Sequence, residues 1–215
     1  MAPKVKFLTD RVDVSMVESI LGQFDFTGVC ADIVFDAVSG CESPACFKPS
    51  DLEFSASAPL ELRGPGLPPL VYYPVHVWDG PTAEQALIVA HEMQHLVQLI
   101  LWPESCAKCF ALQWSRLGYD NAPNEIDADS VSLRVAVHVL GEDMVMSHVR
   151  KMAESAPLND RWRYRNFLSG TIPADYDFPA ETDRLFEQYM DEMLESYRSS
   201  PIPRSLREAA HLLRL

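Results

Sequence analysis

The sequence predicts an α+β domain, with a small N-terminal sheet whose edge strand lies over a buried helix, followed by a mostly helical C-terminal part. Three observations lead there. Strand-like runs bounded by turn-forming residues are confined to residues 1–80, apolar residues recur at helical spacing through 81–215, and one segment near the middle is apolar on nearly every side. With 215 residues, 47% of them apolar, the chain has the size of one compact domain with a substantial core. Residues 1–215 are therefore read as a single domain with a strand-rich part and a helical part.

Lys4 to Thr9 reads as a short strand. Residues 11–24 carry Val12, Val14, Met16, Val17, Ile20 and Leu21 at helical recurrence, so a helix packs on the sheet early. Ala31 to Val38 is strand-like, Ser39 to Ser50 reads as an irregular loop rich in Gly, Pro, Ser and Cys, and Leu52 to Ala56 as a further strand. Four prolines and two glycines between Pro59 and Pro69 exclude regular structure there. Leu70 to Trp78 alternates, with Val71, Tyr73, Val75 and Val77 on one face and Tyr72, Pro74, His76 and Trp78 on the other. Pro74 lacks an N–H, which assigns this strand to a sheet edge.

Asp79-Gly80-Pro81 breaks the chain, and Thr82 with Gln85 has the spacing of a capping box. The helix that follows is apolar nearly all round, so it is expected to be central, and Pro103 stops it near Trp102. Further helices are expected over Glu104 to Leu117, Pro123 to Leu140 closed by Gly141, Glu142 to Ser155, Arg161 to Leu168, Ala180 to Ser199 and Ser205 to Leu215. Within Ala180 to Ser199, the stripe Leu185, Phe186, Tyr189, Met190, Met193 and Leu194 is expected to pack on the core, with a partner chain as the alternative. The opposite, acidic face is expected to be solvated.

Composition excludes some function classes. A net charge of -13, with no lysine or arginine cluster, leaves no surface for a phosphate backbone, so a nucleic-acid partner is not expected. No apolar run of membrane length and no secretory signal stands out, and a soluble cytoplasmic protein is the expectation. The acidity reads first as solubility and second as attraction for a basic peptide. Five cysteines, an odd number, suggest reduced thiols rather than disulfides. Cys41, Cys46, Cys106 and Cys109 could in principle close a second tetrahedral zinc site. No knuckle-like glycine pattern accompanies them, and ordinary thiols are the preferred reading.

The chemistry concentrates on the buried helix, in His91-Glu92-Met93-Gln94-His95. Two histidines four apart lie one above the other on one helical face, where both imidazoles can reach one ion. Glu92 points to a neighbouring sector, placed to take a proton from zinc-activated water without being a ligand. Three ionisable groups in an apolar helix are costly to bury unless a cation compensates them. A tetrahedral catalytic zinc needs a third protein ligand, and Glu125 supplies it on the helix opened by Pro123. Asp129, four residues on and on the same face, can take the free ring N–H of one histidine. Taken alone, acidic residues in a first turn would be explained by the helix dipole. His91 to His95 upstream gives them a chemical role.

H-E-x-x-H followed by E-x-x-A-D on a second helix resembles the gluzincin clan of zinc metallopeptidases, which includes thermolysin, the CAAX-type prenyl-protein proteases and small peptidases that cleave transcriptional repressors. The resemblance covers His91 to His95 and Glu125 to Asp129 and singles out no subfamily. It implies a zincin-like fold, with zinc on His91, His95 and Glu125 and with Asp129 orienting His91. Glu92 would be the general base that later passes its proton to the leaving amine. It further implies that the strand before the active helix, Tyr72 through His76, binds a peptide or protein substrate in extended form. An oxyanion donor is also implied, with Tyr119, His148, Tyr72, Tyr73 and His76 as candidates by residue type. Two rivals to the metallopeptidase stand beside it: a catalytically inactive zinc-binding protein of the same fold that acts through partner binding, and a metal-free helical protein that docks partners on its acidic face. Oligomeric state is left open.

Overall fold

The computed structural model describes residues 5–7, 10–26, 33–35, 37–38, 46–48, 70–74, 78–113, 117–118, 121–156, 158–170 and 176–199. Among these the chain is predominantly helical, with short strands only in its first third. The strands are β1 (Val5–Phe7), β2 (Ile33–Phe35), β3 (Ala37–Val38), β4 (Cys46–Lys48) and β5 (Leu70–Pro74). β1 runs parallel to β2, with Val5 opposite Ile33. β5 lies between a parallel β3 and an antiparallel β4, with Tyr73 opposite Ala37 and Tyr72 opposite Cys46.

That placement corrects two expectations. β5 is flanked on both sides rather than at an edge, and Cys46–Lys48 is a strand inside what reads as a loop. Pro74 is compatible with the flanked position because it is the last residue of β5. The β4 pairing starts its register at Tyr72, and on the other side Pro74 meets the end of β3 at Val38. The missing N–H thus falls where the ladder stops. The expected strand at Leu52 to Ala56, the Pro59 to Pro69 stretch and the expected helix at Ser205 to Leu215 lie outside the described residues.

Seven helices follow or interleave among the described residues: α1 (Val14–Leu21), α2 (Thr82–Leu101), α3 (Pro103–Leu112), α4 (Pro123–Leu140), α5 (Glu142–Ser155), α6 (Leu158–Ser169) and α7 (Phe178–Ser199). Asp13 caps α1 by accepting from the Met16 N–H at 3.0 Å. The capping box expected at the start of α2 does not form. Pro81 is the N-cap, with φ -60° and ψ 141°, and no side chain caps the helix. Thr82 thereby becomes the first helical residue, and Gln85 instead donates to the carbonyls of Trp78 at 3.0 Å and Gly80 at 2.8 Å. Regular helix in α3 ends at Leu112, short of Leu117. α4 and α5 meet at Gly141, whose φ of +88° is in the region that favours glycine.

α2 is the axis of the core. Met93, Leu96, Val89 and Ala90 are fully buried and share one cluster with Val17 and Ile20 of α1, Ile33 and Phe35 of β2, and Val145 and Val149 of α5. Phe35 links the strands to this cluster, its ring centroid 5.4 Å from that of Phe7 and 6.4 Å from that of Trp78. α2 packs most extensively along α4, α5 packs on α6, and α3 packs on α7. In α7 the apolar stripe divides. Leu185, Phe186 and Tyr189 are half-buried, whereas Met190, Met193 and Leu194 are exposed, so core packing among the described residues covers only the first half. No helix among the described residues is long and apolar enough to cross a membrane.

Candidate metal centre

The residues that α4 buries mix apolar Ala128, Val135 and Ala136 with several polar side chains. Of Ile126, Val131, Val135 and Val139, whose recurrence marks a buried face in the sequence, Val135 is buried and the other three are half-buried, while Glu125, Asp127, Asp129, Ser130 and Ser132 are buried. Buried carboxylates at a helix–helix contact require partners, and α2 supplies them. His91 Nε2 and His95 Nε2 are 3.0 Å apart, and Glu125 Oε2 lies 3.3 Å from the first and 3.4 Å from the second. The two rings stand nearly perpendicular, at 88°, as expected of side chains one turn apart that converge on one point.

The hydrogen-bond accounting fixes both tautomers. His91 Nδ1 lies 2.8 Å from Asp129 Oδ1, and an ionised carboxylate only accepts, so Nδ1 carries the proton. Arg163 Nη2 is 2.5 Å from the same oxygen and 2.9 Å from Nδ1. A guanidinium only donates, so its hydrogen bond goes to Asp129 and its closeness to Nδ1 follows from the shared oxygen. His95 Nδ1 lies 2.8 Å from Gln98 Oε1. Both N–H groups of that amide are engaged elsewhere, by Asp127 Oδ2 at 2.7 Å and the Asn124 carbonyl at 2.9 Å, so its oxygen must accept from His95. When neutral, each imidazole therefore presents an Nε2 lone pair to the other and to Glu125.

Two lone pairs and a carboxylate facing one another repel unless a proton or a metal ion lies among them. Without metal, burial pulls His95 toward neutrality, but the Glu125 carboxylate overcomes it and raises the imidazole to about 9. Burial alone would raise Glu125; His95 and His91 instead hold it well below the usual carboxylate range. The same triangle fits a zinc ion. Bonds of about 2.0–2.1 Å in tetrahedral geometry put neighbouring ligand atoms about 3.3 Å apart, and the three edges here run from 3.0 to 3.4 Å. Among the described residues, His91, His95 and Glu125 are the group whose ligand atoms could hold one ion, all within 4.8 Å of one another.

Three residues anticipated from their spacing, His91, His95 and Glu125, thus come together, and Asp129 stands behind His91 as expected. Glu92 is half-buried on α2, and its charge acts on His95. His148, considered as an oxyanion donor, is instead drawn to Glu84, with Nε2 3.1 Å from Oε2, and stacks edge-on against Tyr164. Tyr119 and His76 lie outside the described residues, and Tyr72 and Tyr73 are placed only as register positions of β5. Cys106 and Cys109 are free thiols. Burial pushes Cys106 up to about 12 and Cys109 upward as well, which makes both poor nucleophiles and poor metal ligands. Cys41 lies outside the described residues, and Cys46 is placed as a register position of β4.

Several residues were not singled out by spacing: Gln94 and Gln98 on α2, Asn124 and Asp127 on α4, and Arg163 on α6. Gln94 donates to Asp127 Oδ2 at 2.6 Å, and Asn124 donates to Glu125 Oε1 at 2.8 Å. The two glutamines do carry a signal, since each follows a histidine by three positions on an otherwise apolar helix. Arg163 carries none, because it reaches the site from a helix with no sequence register to α2. Compared with protein-family models, with curated proteins and with solved structures, the chain matches none.

Proposed function

We propose that this chain is a zinc-dependent hydrolase, a soluble metallopeptidase of the gluzincin type with a zincin-like fold, acting on a peptide or protein substrate. The observation that supports this reading is the triangle of His91 Nε2, His95 Nε2 and Glu125 Oε2, at 3.0 to 3.4 Å, with the ring nitrogens behind it both committed as donors. Two imidazoles and one carboxylate form a donor set that suits zinc, and three protein ligands rather than four would be the number typical of catalytic sites. Held by these three side chains, a zinc ion would supply Lewis acidity toward water and a carbonyl.

The remaining work falls to the chain's own residues. Glu92, adjacent to His91 and half-buried on the same helix, takes a proton from the attacking water and passes it to the leaving amine. Asp129 holds His91 in the tautomer that frees Nε2, and Gln98 does the same for His95. The test is Glu92→Gln. The variant should keep its fold and its zinc, while hydrolysis of a protein or peptide library by the zinc-loaded enzyme falls by about 10²- to 10⁴-fold. Unchanged hydrolysis would remove Glu92 as the base. Wild-type protein that binds zinc but cleaves nothing would favour the inactive zinc-binding alternative.

A further inference from the structure

We propose that Gln98 is a positioning residue that fixes both the ring of His95 and the approach of Glu125, so that one amide sets the geometry of two of the three metal ligands. The inference rests on the zinc reading of the triangle and adds a residue that no motif assigns. Gln98 is 1% exposed, and a primary amide that deeply buried is destabilising unless every hydrogen bond is satisfied. Here the satisfaction is directional. Oε1 accepts from His95 Nδ1 at 2.8 Å, while Nε2 donates to Asp127 Oδ2 at 2.7 Å and to the Asn124 carbonyl at 2.9 Å.

Both Nε2 acceptors belong to the first turns of α4, on either side of Glu125. Asn124 in turn donates from its side chain to Glu125 Oε1 at 2.8 Å, leaving Oε2 to face the histidines. Gln98 is therefore continuous with His95 on one side and with Glu125, through Asn124, on the other. Only an amide offers one acceptor and two donors at a single terminus. A carboxylate in its place lacks the donors, a lysine lacks the acceptor, and an aliphatic side chain lacks both. Gln94 shares Asp127 Oδ2, at 2.6 Å, and so holds the carboxylate that in turn orients Gln98.

The test compares Gln98→Met with Gln98→Glu in zinc-titrated full-length protein, read by zinc affinity and by the NMR signal of the His95 Nδ1–H. Methionine conserves volume and removes every hydrogen bond. The introduced carboxyl keeps an acceptor for His95 and, when protonated, can donate to Asp127. Gln98→Met should weaken zinc binding by about 10- to 100-fold and lose the exchange-protected Nδ1–H signal. Gln98→Glu should keep the signal, through its acceptor for His95, and lose an intermediate share of the affinity, because at most one of the two donors to α4 remains. Wild-type affinity in Gln98→Met, or equal loss in both variants with the Nδ1–H signal intact, would overturn the role and leave the zinc reading standing. If Gln98→Met does not fold, Gln98→Glu decides alone: a lost signal with weakened zinc binding contradicts the proposal. Wild-type protein that takes up no zinc removes the zinc reading itself, and this role with it.

Discussion

The two histidines reach the same point backed by different partners. Behind His91 is a charged pair, Asp129 and Arg163; behind His95 is the neutral amide of Gln98. The charged backing has a consequence for stability. Asp129 is 4% exposed and Arg163 25%, so removing the carboxylate leaves a largely buried guanidinium uncompensated, in addition to an Nε that has no hydrogen-bond partner among the described residues. Breaking a buried pair this way costs about 3–5 kcal/mol, and the partial exposure of Arg163 argues for the lower end. Asp129→Ala should therefore lower unfolding free energy by about 3 kcal/mol and weaken zinc binding by about 10- to 100-fold, measured by urea unfolding and zinc titration. Asp129→Asn, which retains an acceptor for His91, should lose less of both. At this scale much of the centre was legible. His91, His95, Glu125 and Asp129 fall in two short segments where helical spacing dictates which side chains share a face. Arg163 was illegible because only the tertiary packing of α6 brings it to Asp129.

Between elements, polar bridges accompany the apolar packing. Glu84 in the first turn of α2 meets His148 of α5 at 3.1 Å and accepts from the Tyr164 hydroxyl of α6 at 3.4 Å. The close approach of His148 outweighs burial and lowers the Glu84 carboxyl below its ordinary value of 4.5. A carboxyl depressed in the folded state stabilises the fold above its unfolded value, and that contribution is lost as pH falls through the folded one. Glu84→Gln should thus be less stable than the wild type by about 1 kcal/mol at neutral pH. The difference should shrink as pH drops below 4.5, followed by denaturant unfolding across that range. A gap that stayed constant with pH would show that the Glu84 charge contributes nothing. Helix limits were legible where punctuation is strong: Pro123 and Gly141 bound α4 as expected. They were not where tertiary contacts decide. The register of β5 between two partners and the polar residues that α4 buries both depend on what lies across the interface, which no local period encodes.

The molecule as a whole carries a net charge of -13, and part of that excess is internal. Glu125, Asp127 and Asp129 are all buried between α2 and α4, where Arg163 is the cationic side chain that pairs with Asp129. A divalent ion on the triangle would balance the remaining charge and draw α2 and α4 together at the ligands, so metal binding would be coupled to the packing of these two helices. Of the α+β expectation, the structure shows a predominantly helical chain with short strands ahead of most of its helices, among the described residues. Zinc K-edge absorption spectroscopy on the zinc-loaded full-length protein tests the central claim most directly. One zinc per chain, bound only by nitrogen and oxygen at about 2.0–2.1 Å and abolished by His95→Ala, is the predicted result. Sulfur scattering at about 2.3 Å, or a chain that retains no zinc, would contradict it.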